Sequence, residues 1–166
     1  TYSQLKGAVL STAQGLLDAG LKAHDRILLR LGNTVEFPIT FLAAIAVDII
    51  PIPLSAQSTE GEVATMFNIV GAKCVCLDPA LNFPKYVEID HIMLDDLRRM
   101  KMTAPADFSV GLPDRLAYIV FTSGTSGRPK AVMHAHRAVW ARQMMIKGWY
   151  DLHSDDKMLH AGAFNW

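Results

Sequence analysis

The chain has 166 residues, of which 51% are hydrophobic and 19% are charged, and its 16 acidic and 16 basic side chains cancel. This length and composition are typical of a globular domain with its own core. The zero net charge argues against a broad basic surface for nucleic acids. The longest apolar stretch, residues 37–54, contains Asp48 and three prolines, so it predicts a buried helix and strand rather than an integral membrane segment.

Hydrophobic periodicity predicts helices and strands that alternate through the first half of the chain. The predicted elements are a helix at 3–19, a strand at 26–31, a helix at 36–47, a strand at 49–52, a helix at 59–70 and a strand at 73–77. This alternation predicts βαβ units, so the fold class is α/β with a mainly parallel sheet flanked by helices.

Polar residues at the predicted helix ends indicate caps. Residues 33–34 are predicted to cap the second helix, and Ser58 or Thr59, with Glu62 as capping-box partner, the third. Gly71 is predicted to end that third helix.

The second half has weaker patterns until residue 116. The predicted elements are a strand at 86–89, a helix at 92–100, a linker at 103–113, strands at 116–121 and 131–134, an amphipathic helix at 136–150 and the start of a strand at 158–160. The linker, rich in Pro, Gly, Ser and Asp, is interpreted as a connection rather than a domain boundary.

Cysteine usage and the chain ends give two further expectations. Cys74 and Cys76 lie two apart in a predicted strand, so they share one face and are predicted to be small buried residues without a metal. A reduced, cytoplasmic protein is expected. Because the chain starts at Thr1 without methionine and stops at Trp166, it is expected to be a piece of a longer protein.

The segment between the strands at 116–121 and 131–134 is the most informative part of the sequence. Gly124 and Gly127 let the backbone approach a ligand, and Lys130 adds a cation suited to phosphate. Inward-pointing N–H groups of such a loop form an anion-binding concavity. The predicted hydroxyl donors are Thr122, Ser123, Thr125 and Ser126.

The loop is not a Walker A loop, which needs Gly, four residues and then Gly-Lys-Ser/Thr opening a helix. Here the two glycines are three apart, Pro129 precedes Lys130, and a strand is predicted to follow. A Ser/Thr/Gly-rich surface turn is the alternative interpretation. The whole string favours phosphate binding, with Arg128 interpreted as solvated.

The string Thr122–Lys130 resembles the signature phosphate loop of the adenylate-forming superfamily, which includes acyl-CoA synthetases, aryl-CoA ligases, luciferases and peptide-synthetase adenylation domains. Supporting similarities cover nearly the whole chain and are weakest at 83–113; they lie at residues 1–5, 25–44, 51–54 and 71–73. The resemblance implies that residues 1–166 are the N-terminal portion of the AMP-binding (adenylation) domain, without the C-terminal lysine domain. It also identifies two departures: His24 stands where glycine is usual, and residues 47–50 replace Ala-Gly-Ala-Val. Both are interpreted as packing changes.

The resemblance implies ATP-dependent activation of a carboxylic acid to an acyl-adenylate, followed by thioesterification to coenzyme A. ATP and Mg²⁺ are the implied cofactors, with the magnesium-binding glutamate expected downstream of this chain, and coenzyme A is the implied co-substrate. The expected partner is a small-molecule carboxylic acid, and self-association of the fragment is expected through apolar surface left exposed. The alternatives are amino acid adenylation of the peptide-synthetase type and a non-catalytic nucleotide-binding module.

Histidines and aromatic residues near the loop are the remaining candidates. His134 and His136 have the spacing of a metal pair, but packing against the loop and capping of the next helix are favoured. By resemblance, His160 borders the acyl pocket and is the only candidate catalytic residue, with a core histidine as the alternative. Phe164 and Trp166 are candidates for lining that pocket, with plain core packing as the alternative.

Overall fold

The structure, a computed structural model, describes residues 1–123, 128–159 and 162–164. Helices and strands follow one another in these residues in the order α1 Tyr2–Asp18, β1 Arg26–Arg30, α2 Glu36–Ala46, β2 Ile50–Pro53, α3 Glu60–Val70, β3 Cys74–Leu77, β4 Asp90–Met93, α4 Leu94–Met100, β5 Leu116–Ser123, β6 Pro129–Ala135, α5 His136–Ala141 and α6 Gln143–Gly148. None of the helices in these ranges is both long and apolar enough to cross a membrane.

Strands β1 to β4 form one sheet in the order β2-β1-β3-β4, and every neighbouring pair is parallel. Helix α2 connects β1 to β2, and α3 connects β2 to β3, as the alternation of short apolar strands with amphipathic helices requires. The predicted α/β class with a mainly parallel sheet is confirmed. Strands β5 and β6 form a separate antiparallel pair, called the hairpin below.

Side chains that alternate along the sheet divide the core into two clusters. Ile27, Leu29 and Cys76 face one way and pack with residues of α1, α2 and α4. Leu28 and Val75 face the other way and pack with residues of α3 and of the hairpin. Because β2, β3 and most of β1 are buried on both faces, they read as nearly continuous apolar runs in the sequence, whereas β4 begins with two exposed polar residues.

Cap chemistry explains the ends of α3. The Thr59 hydroxyl accepts from the Glu62 backbone N–H, and the Glu62 carboxylate accepts from the Thr59 N–H at 2.8 Å, which confirms the capping box. Gly71 ends the helix with φ 59°, a conformation that costs glycine little. The prediction for α2 is wrong: its N-cap is Val35, without a side-chain hydrogen bond.

The second half differs from the prediction in three places. The fourth strand is Asp90–Met93 rather than 86–89, because a turn closed by the Val87 N–H on the Pro84 carbonyl precedes it. The helix predicted at 136–150 is interrupted at Arg142, which separates α5 from α6. Residues 158 and 159 are not in a strand.

Candidate functional site

The hairpin carries the predicted phosphate loop between its two strands. Its ladder runs to the loop mouth, where Thr122 pairs with Lys130 and Ser123 pairs with Pro129. The two strands expected on either side of the loop are confirmed, and the strand β6, rather than the helix of a Walker A motif, begins at Pro129. The side chains of Thr122 and Lys130 are both exposed, so a hydroxyl and an ammonium group flank the mouth.

Several predicted site residues lie outside the described part of the chain. These are Gly124, Thr125, Ser126, Gly127, His160 and Trp166. Ser123 is described only by its backbone pairing. The roles predicted for all of these residues stay predictions.

Tyr118 on β5 is the centre of a cluster of aromatic and cationic groups. The His134 ring stacks on the Tyr118 ring with centroids 4.6 Å apart and planes 8° from parallel. Phe41 of α2 meets the same ring edge-on at 5.3 Å, and the Arg142 guanidinium donates a hydrogen bond to the Tyr118 hydroxyl. Burial, and then the charge of Arg142, lowers the pKa of His134, which favours a neutral packing role.

A largely apolar groove of about 630 Å³ lies between α2 and the hairpin. Phe164 lines it and stacks on Phe37, with ring centroids 5.9 Å apart. Its N–H also donates to the Asn33 side-chain oxygen at 3.2 Å. Phe164 thus lines this groove, and its predicted role in an acyl pocket stays a prediction. Other side chains on the groove are Phe41, Leu42, Ile45, Tyr118, Val120 and Arg142.

A second, more polar crevice of about 580 Å³ lies where β1, β2 and β3 end. Carboxyl ends of parallel strands are common ligand sites, and Asn33, Ser55 and Asp78 line this one.

Arg30, at the end of β1, orders the two loops that border the crevice. Its guanidinium donates to the carbonyls of Asn82 at 2.5 Å, Ser55 at 2.6 Å and Ser58 at 2.9 Å. The residue is only 2% exposed, and burial lowers its pKa, an effect that the charge of Glu60 opposes.

Metal binding has no support in the described ranges, where no three His, Cys, Asp or Glu side chains come together as ligands. His134 and His136, the pair with metal-like spacing, instead contact different groups. His134 stacks on Tyr118, whereas His136 begins α5 and places Nε2 3.4 Å from the Asp48 carboxylate.

A sequence model of the AMP-binding enzyme family matches residues 1–166. The chain belongs to the AMP-binding enzyme family. It is 28% identical over 172 residues to the long-chain-fatty-acid–CoA ligase FadD13 of Mycobacterium tuberculosis, covering 96% of this chain and 34% of that protein. It is also 26% identical to a plipastatin synthase of Bacillus subtilis, over 84% of this chain and 5% of that protein.

A solved structure shows the same fold. ATP-bound MatB from Rhodopseudomonas palustris matches with a TM-score of 0.88 and 24% identity, over 99% of this chain and 35% of that one. The chain therefore spans about a third of the length of FadD13 and of MatB.

Each departure from the family pattern includes one residue in left-handed backbone. His24 has φ 69° and Asp48 has φ 59°, a region that glycine adopts freely and other L-residues disfavour. The His24 N–H donates to the Asp48 carbonyl at 2.7 Å, so the two turns are joined. His24 and Asp48 therefore stand in backbone that favours glycine, the residue that the resemblance implies at both positions. The interpretation of the two departures as packing changes stays a prediction.

The Asp48 side chain also has polar partners that the sequence analysis missed. Its carboxylate accepts from Arg115 Nε at 2.7 Å and from the Ser109 hydroxyl. Burial alone would raise the pKa of Asp48, but the hydrogen bonds from Arg115 and Ser109 outweigh burial and lower it. The sequence feature that could have indicated these partners is the presence of an aspartate within the apolar stretch at 37–54.

Proposed function

We propose that this chain is the N-terminal part of the adenylation domain of a longer AMP-forming acid–thiol ligase. In the proposed reaction, a substrate carboxylate attacks the α-phosphorus of ATP, giving an acyl-adenylate and releasing pyrophosphate. The thiol of coenzyme A then attacks the acyl carbon and releases AMP. The observation that carries the proposal is the pairing of Thr122 with Lys130 at the mouth of the loop, in a chain that the AMP-binding family model covers throughout.

The proposed role of the loop is to hold the β- and γ-phosphates of ATP. Two paired strands hold Thr122 and Lys130 side by side at the ends of the loop, so these two groups need little reordering when the polyphosphate binds. Lys130 would neutralise phosphate charge, with Thr122 beside it as a hydroxyl donor. Ser123, Thr125 and Ser126 would add further hydroxyls, and Gly124 and Gly127 the close backbone approach.

Magnesium would arrive with ATP, since Mg²⁺ is commonly held by one or two carboxylates together with substrate phosphates. Its protein ligand is expected in the sequence that follows this chain.

The apolar groove beside β5 is the proposed site for the acyl or aryl part of the acid. Its lining is mostly aliphatic and aromatic, with Phe37, Phe41 and Phe164 on its walls, which suits a fatty or aromatic acid. The similarity to a long-chain-fatty-acid–CoA ligase supports an apolar substrate. The role of His160 in orienting the carboxylate is part of the same proposal.

Amino acid adenylation is the second candidate, supported by the similarity to a plipastatin synthase. An amino acid substrate carries an ammonium group that favours a carboxylate partner. Among the described residues that line the apolar groove, none is acidic, so a fatty or aryl acid is preferred.

The direct test uses the longer protein that contains this segment, with ATP and a panel of fatty, aryl and amino acids. Acid-dependent release of pyrophosphate, followed by formation of a coenzyme A thioester, is the expected result. Pyrophosphate exchange with amino acids and no consumption of coenzyme A would instead support the second candidate. The 166-residue chain alone is expected to release no pyrophosphate, because the downstream groups for adenylation lie outside it.

Lys130→Met tests the phosphate loop itself. Loss of one transition-state donor commonly lowers kcat by about 10²–10³, and a fall of that size is expected here. Lys85→Met is the matched control, because Lys85 is an exposed lysine in the loop between β3 and β4. Wild-type rates in Lys130→Met would refute the assigned role.

A further inference from the structure

A single carboxylate, that of Asp48, lies beside the far ends of the two strands that carry the phosphate loop. Arg115 immediately precedes β5, and His136 immediately follows β6. The His136 N–H donates to the Arg115 carbonyl at 3.0 Å, which closes the base of the hairpin. Asp48 Oδ1 lies 2.7 Å from Arg115 Nε and 3.4 Å from His136 Nε2. One carboxylate on the β2 side of the sheet therefore faces both ends of the hairpin base.

The same carboxylate orders the linker that leads into the hairpin. Asp48 Oδ2 accepts from the Ser109 hydroxyl, and the Ser109 N–H donates to the Ala46 carbonyl at 2.8 Å. Arg115 uses its other two nitrogens on the carbonyls of Leu112 and Ser109, both at 3.1 Å. The linker is thus held to the turn after α2 by Asp48 and Arg115 together.

Burial separates this arrangement from an ordinary surface ion pair. The side chains of Asp48, Arg115 and His136 are 11%, 18% and 17% exposed. Solvent-screened pairs contribute little, whereas removal of one partner from a buried pair leaves the other charge uncompensated. Asp48 also has φ 59°, a backbone conformation in which glycine would avoid the strain that aspartate experiences.

We propose that Asp48 is a positioning residue for the phosphate loop, acting through Arg115 and His136 at the hairpin base. The loop mouth at Thr122 is seven residues beyond Arg115, or about 23 Å at 3.3 Å per residue. A small tilt at the base is therefore enlarged at the loop. The hairpin shares no ladder with the four-stranded sheet among the described residues, so polar contacts and packing set its orientation. The catalytic part of this inference depends on the proposed function, whereas the structural part does not.

Amide hydrogen exchange of Asp48→Asn tests the structural part on the 166-residue chain. Asparagine tolerates left-handed backbone but removes the charge. Amides of β5 and β6 are expected to exchange about tenfold faster, while those of β1 and β3 keep wild-type rates, because local opening is confined to the unit that loses its contacts. Unchanged hairpin exchange, or equal acceleration in every strand, would overturn the proposal.

Asp25→Asn is the matched control. Asp25 resembles Asp48 in having a basic partner, since its Oδ2 lies 2.8 Å from Lys73 Nζ. The Asp25 carboxylate accepts hydrogen bonds from the Lys22 backbone N–H and from the Lys73 ammonium group, and neither lysine belongs to the hairpin. It should leave exchange in β5 and β6 unchanged. If Asp48→Asn does not fold, Asp48→Gly replaces it, since glycine relieves the backbone strain while it also removes the carboxylate.

Steady-state kinetics of the longer protein test the catalytic part. Misplacement of a binding group by about 1 Å can cost 10²-fold in rate, so Asp48→Asn is expected to raise the KM for ATP at least about fivefold while Asp25→Asn does not. Arg115→Gln should give the same change, and the double variant should add little to either one. An unchanged KM for ATP in Asp48→Asn would refute the positioning role. Absence of ATP-dependent activity in the wild type would refute the proposed function, and the exchange result would still decide whether Asp48 holds the hairpin.

Discussion

Replacement of Arg30 by methionine should destabilise the fold more than any exposed charge change. Arg30 is 2% exposed and donates three hydrogen bonds to carbonyls of the loops after β2 and β3. Hydrogen bonds from a charged group contribute about 1.5–3 kcal/mol each, or about 4.5–9 kcal/mol for three. Keeping an ion buried costs several kcal/mol, and methionine retains the apolar packing of the stem. The expected net loss is about 2–4 kcal/mol.

Urea denaturation of the 166-residue chain measures this loss directly. In thermal unfolding, the same change should lower Tm by roughly 4–16 °C, at about 2–4 °C per kcal/mol for a chain of this size. Arg26→Met is the matched control, because Arg26 lies on the same strand but is exposed and donates one hydrogen bond, to Val70 O at 2.7 Å. Because Arg26 is exposed, water can replace this one hydrogen bond, and the loss should be no more than about 1.5 kcal/mol. A loss below about 1 kcal/mol for Arg30→Met would show that the three hydrogen bonds only balance the cost of burial.

Two further predictions concern backbone conformation and acid. Gly71→Ala should destabilise the chain by about 1–2 kcal/mol, because φ is 59° at this position. Gly7→Ala in α1 is the control, and it should be neutral or stabilising because the space around Gly7 is open. Equal effects of the two changes in urea denaturation would refute the argument. The pKa values of His134 and His136 are lowered mainly by burial and secondly by a nearby arginine. As the pH falls, these histidines therefore bind protons in the unfolded chain before they do so in the folded chain. Stability should start to fall below about pH 6.5. A second fall should begin below about pH 4.3, because hydrogen bonds hold three carboxyl pKa values below their usual range in the folded state despite burial. Stability that is constant from pH 7 down to pH 5 would contradict the first of these two steps. The three carboxyl groups are those of Asp25, Glu36 and Asp48.

Local sequence patterns predicted the parallel half of the fold well. Strands β1 and β2 are each followed by an amphipathic helix, and the ends of α3 follow from Thr59, Glu62 and Gly71. These features depend on residues within a few positions of one another, so sequence alone contains the necessary information. The strands β5 and β6 on either side of the predicted phosphate loop follow from the sequence for the same reason.

Contacts between distant segments could not be predicted in this way. Asp48 meets Arg115 across 67 residues, and Arg30 meets Asn82 across 52. No regular spacing in the sequence predicts either pair, because the proximity of the two residues depends on the order of the strands in the sheet. Arg142, where the predicted helix is interrupted, also makes a long-range contact, since its guanidinium donates a hydrogen bond to the Tyr118 hydroxyl on β5.

The burial of Cys74 and Cys76 has a practical consequence for labelling. Both thiols lie inside β3 between two neighbouring strands and are at most 2% exposed. A hydrogen bond with Cys74, and then burial, raises the pKa of the Cys76 thiol well above its usual value, which suppresses the reactive thiolate. A cysteine introduced on the surface should therefore take up a maleimide dye in the folded chain while both native thiols stay unmodified. A fluorophore could therefore be attached to the hairpin without prior removal of the native cysteines. Over longer times, the rate at which the native pair is labelled would measure the rate at which the sheet opens.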